Sequence, residues 1–326
     1  MNSSHIVYAL CEQVVQSGNG ISEQDALQLI NLPHHATLDL LAGAQRIRSA
    51  FKSSDSFTCG IVNAKSGKCS ENCAFCAQSK YHETGAPIYP LLDKAALLER
   101  ARMLEDAGAS RYGIVTSGMT LSDKELDTAC EAALAITTQT SIHVCGSLGQ
   151  LSSSMATRLR EAGFSSYHHN LETSRSYFPH ICSTHAYDED IQSVQNALAA
   201  GFRVCSGGIL GLGESREQRV ELACTLRDLA VPSVPMNFLT PVTGTRLQDQ
   251  PLLEPFEALR AIAVFRFLLP KQDILIAGGR ENTLNEFQPL IPMAGANGLM
   301  IGNYLTTSGR NMTDDMAMLR SLGVLS

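Results

Sequence analysis

Apolar residues recur along the chain in two rhythms. In residues 1–50 they fall every three or four positions, as in Ile6, Val7, Leu10, Val14 and Val15, a period that predicts helices. Gly18-Asn19-Gly20 stops the first helix, Ser22-Glu23-Gln24-Asp25 opens a second, and a third covers 37–50. From residue 56 the pattern changes. Short β-rich runs at 56–62, 111–116, 140–145, 165–170, 202–207, 233–238, 273–277 and 298–301 alternate with amphipathic stretches at 92–107, 123–137, 151–162, 187–200, 215–229, 253–269 and 281–290. Eight strands alternating with helices predict an α/β fold, a (β/α)8 TIM-type barrel, over 51–326, with 1–50 as an amino-terminal helical extension. An open doubly wound sheet competes, but would leave the last two strands without a role.

Charge narrows the function classes. With 25 Lys and Arg against 32 Asp and Glu, the formal charge is −7. No basic run supplies a footprint for nucleic-acid phosphates. No apolar run reaches membrane-spanning length, and Met1-Asn2-Ser3-Ser4-His5-Ile6 lacks a basic n-region. Ten cysteines in such a chain read as metal ligands and buried thiols, with the cytoplasm as the expected compartment.

The chemistry concentrates in Lys68-Cys69-Ser70-Glu71-Asn72-Cys73-Ala74-Phe75-Cys76-Ala77-Gln78-Ser79. The spacing CxxxCxxC lets one short loop turn the thiolates of Cys69, Cys73 and Cys76 toward a single point. There they would hold three irons of a 4Fe-4S cluster and leave the fourth open to a substrate. A zinc knuckle would need a fourth ligand and a second CxxC, which the chain lacks. The loop follows the first strand, where a barrel gathers its functional residues.

Inward side chains of a barrel form layers fed by alternate strands. Strands one, three and five carry Cys59, Cys145 and Cys205 at inward positions, with Leu275 in the corresponding place on strand seven. Two readings stand side by side: a second metal centre in one layer, or three buried apolar thiols. Cys11, Cys130 and Cys224 fall on helices as packed thiols, and Cys182 has no evident partner. The glycines of Ser206-Gly207-Gly208-Ile209-Leu210-Gly211-Leu212-Gly213 do not spell a dinucleotide fingerprint; they suggest close backbone approach to a flat ligand. His168 and His169 end strand four and should face opposite ways, so they would not share a metal. The amide and carboxylate of Asn170 and Glu172 suit ribose hydroxyls or a urea.

The cysteine loop, with Phe75 directly before its third cysteine, resembles the signature of the radical S-adenosylmethionine (SAM) enzymes. Within that superfamily the chain is most similar to the biotin synthase family. The runs that carry the resemblance are the loop itself, 169–174, 204–214, 234–239, 279–281, 293–297 and 305–307. The resemblance implies a homodimeric (β/α)8 enzyme that inserts sulfur between C6 and C9 of dethiobiotin to form biotin. SAM would chelate the open iron, and one electron from a flavodoxin-like donor would cleave it to a 5′-deoxyadenosyl radical. That radical would take hydrogen from dethiobiotin, an auxiliary iron–sulfur cluster would supply the sulfur, and a second SAM would drive ring closure. It also implies that Asn170 and Glu172 hold the SAM ribose, with Asn170 also near the substrate. Asn237 would meet the ureido ring, and Thr306 with Thr307 the carboxylate tail.

The chain departs from that family's pattern at three places. The usual auxiliary 2Fe-2S cluster takes three cysteines and an arginine. Cys145 and Cys205 match, but Gly113 and Leu275 stand where the third cysteine and the arginine belong. Cys59 restores a third thiol, so the expectation is a larger, four-iron auxiliary cluster carrying an extra sulfide on Cys59, Cys145 and Cys205. Cys11 would be a fourth ligand if the first helix plugs the barrel floor. Asp190 replaces the arginine expected against the SAM carboxylate and would repel that group; His168 replaces an asparagine. The alternative reading is another radical SAM enzyme on a related barrel, either hydrogenase-cofactor maturase-like or methylornithine synthase-like.

Overall fold

The computed structural model describes residues 3–52 and 56–324; Met1 and Asn2 of the amino-terminal run lie outside these. Nine strands follow in order: β1 (Phe57–Lys65), β2 (Arg111–Thr116), β3 (His143–Ser147), β4 (Ser166–His168), β5 (Arg203–Cys205), β6 (Gly208–Leu210), β7 (Ser233–Phe238), β8 (Asp273–Ile276) and β9 (Gly298–Met300). All their pairings are parallel. β1 bonds to both β2 and β9, and β5 reaches β7 through Cys205 and Ser233, so the sheet closes. β6 continues β5 after a two-residue break and carries its pairing with β7 upward from Gly208 to Leu210. Nine strands therefore fill eight barrel positions.

The glycine run is thus part of a strand, and its first two glycines have a different cause from the one expected. A Cβ at Gly207 would lie 1.8 Å from the Pro235 carbonyl oxygen, and one at Gly208 would lie 2.5 Å from that of Glu172. Neighbouring backbone, not a flat ligand, excludes a side chain at both positions.

Three helices precede the barrel: α1 (Ser3–Ser17), α2 (Glu23–Ile30) and α3 (Thr37–Lys52). Those that follow are α4 (Lys94–Asp106), α5 (Asp123–Gln139), α6 (Ser153–Glu161), α7 (Phe178–Ile181), α8 (Tyr187–Ala199), α9 (Arg216–Asp228), α10 (Pro255–Leu268), α11 (Arg280–Leu284) and α12 (Met312–Ser321). Side-chain oxygens of Ser22, Asp93, Ser122, Ser152 and Ser215 accept from the first turns of α2, α4, α5, α6 and α9, satisfying amides that no intrahelical carbonyl reaches. The stretch 281–290 is not one helix. α11 ends at Leu284, Asn285 adopts a positive φ of 46°, and a 3-10 turn carrying Pro289 follows.

The amino-terminal helices lie on the outside of the barrel. α3 packs on α10 and α2 on α9, and α10 is consequently buried from Ala258 to Leu268. This overturns the proposed role of Cys11. Its buried thiol faces α3 and donates to the Gly43 carbonyl oxygen at 3.4 Å, away from the barrel floor. Burial raises its pKa and keeps it protonated. Cys130 and Cys224 are packed helix thiols, as read from the sequence.

Candidate active site

The cysteine loop leaves β1 at the carboxyl end of the barrel. Its backbone folds on itself: the Cys69 amide donates to the Gln78 carbonyl oxygen at 3.0 Å, and the Lys80 amide to that of Cys69 at 2.9 Å. Ser79 Oγ donates to the Glu71 carbonyl oxygen at 2.6 Å. Cys69, Cys73 and Cys76 are all half-buried, free thiols. Burial lifts the Cys76 pKa to about 11 against backbone donation from Gln78, and the nearby Cys69 sulfur raises it further. Soft donors that are half-buried and disfavour one another's ionisation suit a shared, positively charged metal centre. The loop fits a 4Fe-4S cluster.

Below it lies a cavity of about 320 Å³. Phe75 lines its upper wall and Cys59, Cys145 and Cys205 its depth, while Asn170, Glu172, Asn237, Thr306 and Thr307 line it in between. Cys145 and Cys205 are hydrogen-bonded, and Cys59 feels the charge of Cys205. Cys145 is pushed up by its hydrogen bond with Cys205 and by burial, and the same bond draws Cys205 down to about 7. Burial and the Cys205 charge push Cys59 up to about 12, with Arg111 opposing. Gly113 and Leu275 border the same space. A side chain at Gly113 would meet first the Ile61 methyl, 3.0 Å from the ideal Cβ position. Three converging thiols in a buried pocket are a donor set for an iron–sulfur cluster.

The polar groups of the wall are fixed by backbone. Asn237 accepts from the Gly278 amide at 3.0 Å and donates to the Gly208 carbonyl oxygen at 3.3 Å, which leaves one amide hydrogen and one lone pair for a ligand. Asn170 accepts from the Gly207 amide at 3.2 Å and donates to Glu172 at 3.3 Å. Glu172 sits at a positive φ of 62°. Burial and the Asp190 charge lift its carboxyl to about 7. His168 lines the cavity, held neutral by burial, while His169 turns away to Asp190, 2.8 Å off. The two histidines part as their alternation requires.

Asp190 does not face the site as a bare charge. Its second oxygen lies 3.2 Å from His185 Nε2, and His185 Nδ1 lies 2.7 Å from Glu71, inside the cysteine loop. Its hydrogen bond to Asp190, with that to Cys182, raises His185 to about 11, so it stays protonated between two carboxylates. Repulsion of an incoming carboxylate by Asp190 is thereby offset within the protein. The expectation for Cys182 also needs correcting. Its sulfur lies 3.9 Å from Cys73, 3.3 Å from His185 Nδ1 and 3.4 Å from Thr184 Oγ1. Ligand atoms of Glu71, Cys182 and His185 fall within 4.8 Å of one another, but the imidazole is already engaged by a carboxylate at each nitrogen, so the group reads as an ion-pair network clamping the loop. Sequence reasoning missed His185 because no motif marks it; its one signal was the acidic residue inside the cysteine loop.

A closed parallel barrel with a three-cysteine loop above the first strand defines the class. Residues 64–225 match the Radical SAM superfamily, and residues 235–325 the Biotin and Thiamin Synthesis associated domain. The chain belongs, within that superfamily, to the biotin synthase family. It is 59% identical over 305 residues to the biotin synthase of Nitratidesulfovibrio vulgaris (strain DP4), covering 94% of this chain and 84% of that one. To that of Oleidesulfovibrio alaskensis it is 55% identical over 317 residues, covering 97% and 98%. Among solved structures, methylornithine synthase superposes with a TM-score of 0.82 at 17% identity, covering 97% of this chain and 95% of that one. The FeFe-hydrogenase maturase of Carboxydothermus hydrogenoformans gives 0.81 at 15%, covering 98% and 78%. Those two share the barrel; the sequence relationship separates biotin synthase from them. The chain is therefore a radical SAM enzyme whose cofactors include a 4Fe-4S cluster and SAM and whose substrate is a small molecule. No helix among the described residues is long and apolar enough to cross a membrane.

Proposed function

We propose that the enzyme converts dethiobiotin to biotin in the single cavity between the cysteine loop and the deep thiols. The observation that carries this is the convergence of the three deep thiols, of Phe75 from the cysteine loop, and of Asn170, Glu172, Asn237, Thr306 and Thr307 on that one space. When bound, the 4Fe-4S cluster with SAM supplies a radical able to break unactivated C–H bonds, and the auxiliary cluster supplies sulfur. Cys69, Cys73 and Cys76 hold the first, and Cys59, Cys145 and Cys205 a four-iron auxiliary cluster with an extra sulfide. Asn170 and Glu172 hold the SAM ribose, and Glu172, its carboxyl lifted to about 7 by burial and the Asp190 charge, can donate when protonated as well as accept. Asn237 keeps one donor and one acceptor for the ureido group. Thr306 and Thr307, on the loop after β9, take the carboxylate tail. Phe75 and the closed barrel exclude water from the reacting carbons.

The same reading includes a homodimer, a flavodoxin-like electron donor, a cytoplasmic setting, and a division at residues 50/51 into extension and barrel, which the position of α1–α3 before β1 supports. The test is anaerobic. After reconstitution with iron and sulfide, the protein receives SAM, dethiobiotin and a reductant, and 5′-deoxyadenosine and biotin are quantified by mass spectrometry. Both products are expected; deoxyadenosine without biotin would reject the substrate. Cys59→Ala should erase the auxiliary-cluster spectrum and leave that of the loop cluster. An unchanged auxiliary spectrum would reject Cys59 as a ligand.

A further inference from the structure

The barrel interior is stacked in layers, and the layer beneath the thiols carries charge. Two residues before Cys59, Gly113, Cys145, Cys205 and Leu275, and so on the same inward face, stand Phe57, Arg111, His143, Arg203 and Asp273. With Lys52 from α3 they line a second cavity, of about 610 Å³, at the amino-terminal end of the barrel. It opens to solvent past the exposed His143 and Arg203. One step of two residues, about 7 Å, separates this layer from the thiols.

The floor gathers cations. Lys52 Nζ lies 3.2 Å and Arg111 Nη2 3.4 Å from the Asp273 carboxylate, which Arg203 also meets. Among the described residues, three cations face this one buried carboxylate. Arg111 is further positioned by stacking 3.7 Å from the Phe57 ring centre. In the proposed reaction each turnover removes sulfur from the auxiliary centre while SAM and dethiobiotin fill the upper cavity. With that space filled, the floor cavity, one layer beneath the thiols, is the approach left to a small replacement ligand.

We propose that this floor is an anion port, in which Arg111 and Arg203 hold hydrosulfide, a small inorganic sulfur anion, beside the auxiliary thiols. The proposal rests on the three-thiol auxiliary site argued above. Delivery moves no electrons. Arg111 and Arg203 would hold hydrosulfide beneath the thiols, where it would replace, as a ligand of the cluster those thiols would hold, a sulfide that had left, its proton passing to cavity water. Three cations against the one Asp273 carboxylate leave the cleft net positive; such a cleft raises the local concentration of the opposite ion, so the port would favour anions over cations of equal size.

The test reads thiol accessibility in the full-length, metal-free chain with saturating dethiobiotin occupying the upper cavity, where no turnover is needed. The probes are the sulfonatoethyl and trimethylammonioethyl methanethiosulfonates, with modification of Cys59, Cys145 and Cys205 followed by peptide mass spectrometry. The anionic reagent should react about tenfold faster than the cationic one, the scale of electrostatic focusing in such a cleft. The doubly substituted Arg111→Gln/Arg203→Gln chain should lose that preference. Arg203→Gln alone, at a half-exposed position, should lose part of it and guards against misfolding of the pair. His143→Trp, filling the mouth, should slow both reagents. Rates unmoved by His143→Trp, or a preference unmoved by the arginine changes, would overturn the port. In reconstituted protein, ³⁴S-hydrosulfide should label the auxiliary sulfide more slowly in the arginine variants. If the metal-free preference holds but no auxiliary cluster forms, the cluster reading fails and the delivery role with it. If two clusters form and the preference never depended on the arginines, only the port fails.

Discussion

His185 is a protonated imidazole between Glu71 and Asp190, and its removal leaves two largely buried carboxylates facing each other across the space it occupied. Breaking a buried pair by deleting one partner costs about 3–5 kcal/mol. His185→Ala should therefore lower the unfolding free energy of the metal-free chain, read from urea titrations, by that amount, and Glu71→Gln in the same background should recover part of the loss. An unchanged unfolding free energy would show that the imidazole holds nothing. Asn237 gives a second residue-level expectation. Asn237→Ala orphans the Gly278 amide and removes the group assigned to the ureido ring. It should weaken dethiobiotin binding by about 1–3 kcal/mol in calorimetry, with SAM affinity kept. At this scale the sequence spoke where strand parity applied. Cys59, Cys145 and Cys205 sit in one layer because alternate residues share a face, and that is legible from spacing. The partners of Asp190 and Cys182 were not legible, because His169 and His185 reach them through tertiary packing that no local pattern encodes. Cys11 misled for the same reason: helical period says that a face is buried, not against what.

The elements after β8 were the least legible, and they carry Thr306 and Thr307, the residues proposed for the substrate tail. A run of helical period over 281–290 is cut by the positive φ of Asn285 and by Pro289, while α12 at Met312–Ser321 was not anticipated. Its anchor is an ion pair: fully buried Arg280, beginning α11, donates to fully buried Asp315 on α12. The segment carrying Tyr304, Thr306 and Thr307 runs between β9 and α12, and Tyr304 bonds Glu281 at 2.8 Å. Arg280→Ala should destabilise the chain by about 3–5 kcal/mol in chemical denaturation and weaken dethiobiotin binding, since the tail loop loses its frame. Arg280→Met with Asp315→Leu should restore stability, because an apolar pair of similar volume can replace a buried ion pair. If stability returned but substrate affinity did not, the pair would be fixing the loop's position in addition to its stability.

Across the whole molecule, the alternation of eight strands with helices foretold closure, but not the charged ring that ties its lower rim together. Arg111, Arg203 and Asp273 begin strands whose apolar content dominated the pattern, so their inward direction emerges only once the barrel is formed. Asp273 joins four parts of the chain: Lys52 of α3, Arg111 of β2, Arg203 of β5, and Asn297, whose amide donates to it at 2.9 Å just before β9. Burial alone would raise its carboxyl. The Asn297 amide, Lys52 and Arg203 outweigh that and hold it below the usual carboxylate range. A carboxyl whose folded pKa lies below its unfolded one stabilises the native state at neutral pH, fully above an unfolded value of about 4, and loses that contribution as pH falls through the folded value. The wild-type chain should therefore be more stable than Asp273→Asn across neutral pH by a constant margin. The margin should shrink as the pH is taken below about 4, when protonation makes the two chains alike in charge. Urea titrations at a series of pH values measure it directly. A margin that stayed constant into acid would mean that Asp273 acts through shape and hydrogen bonding, with the cations of the floor held by something other than its charge.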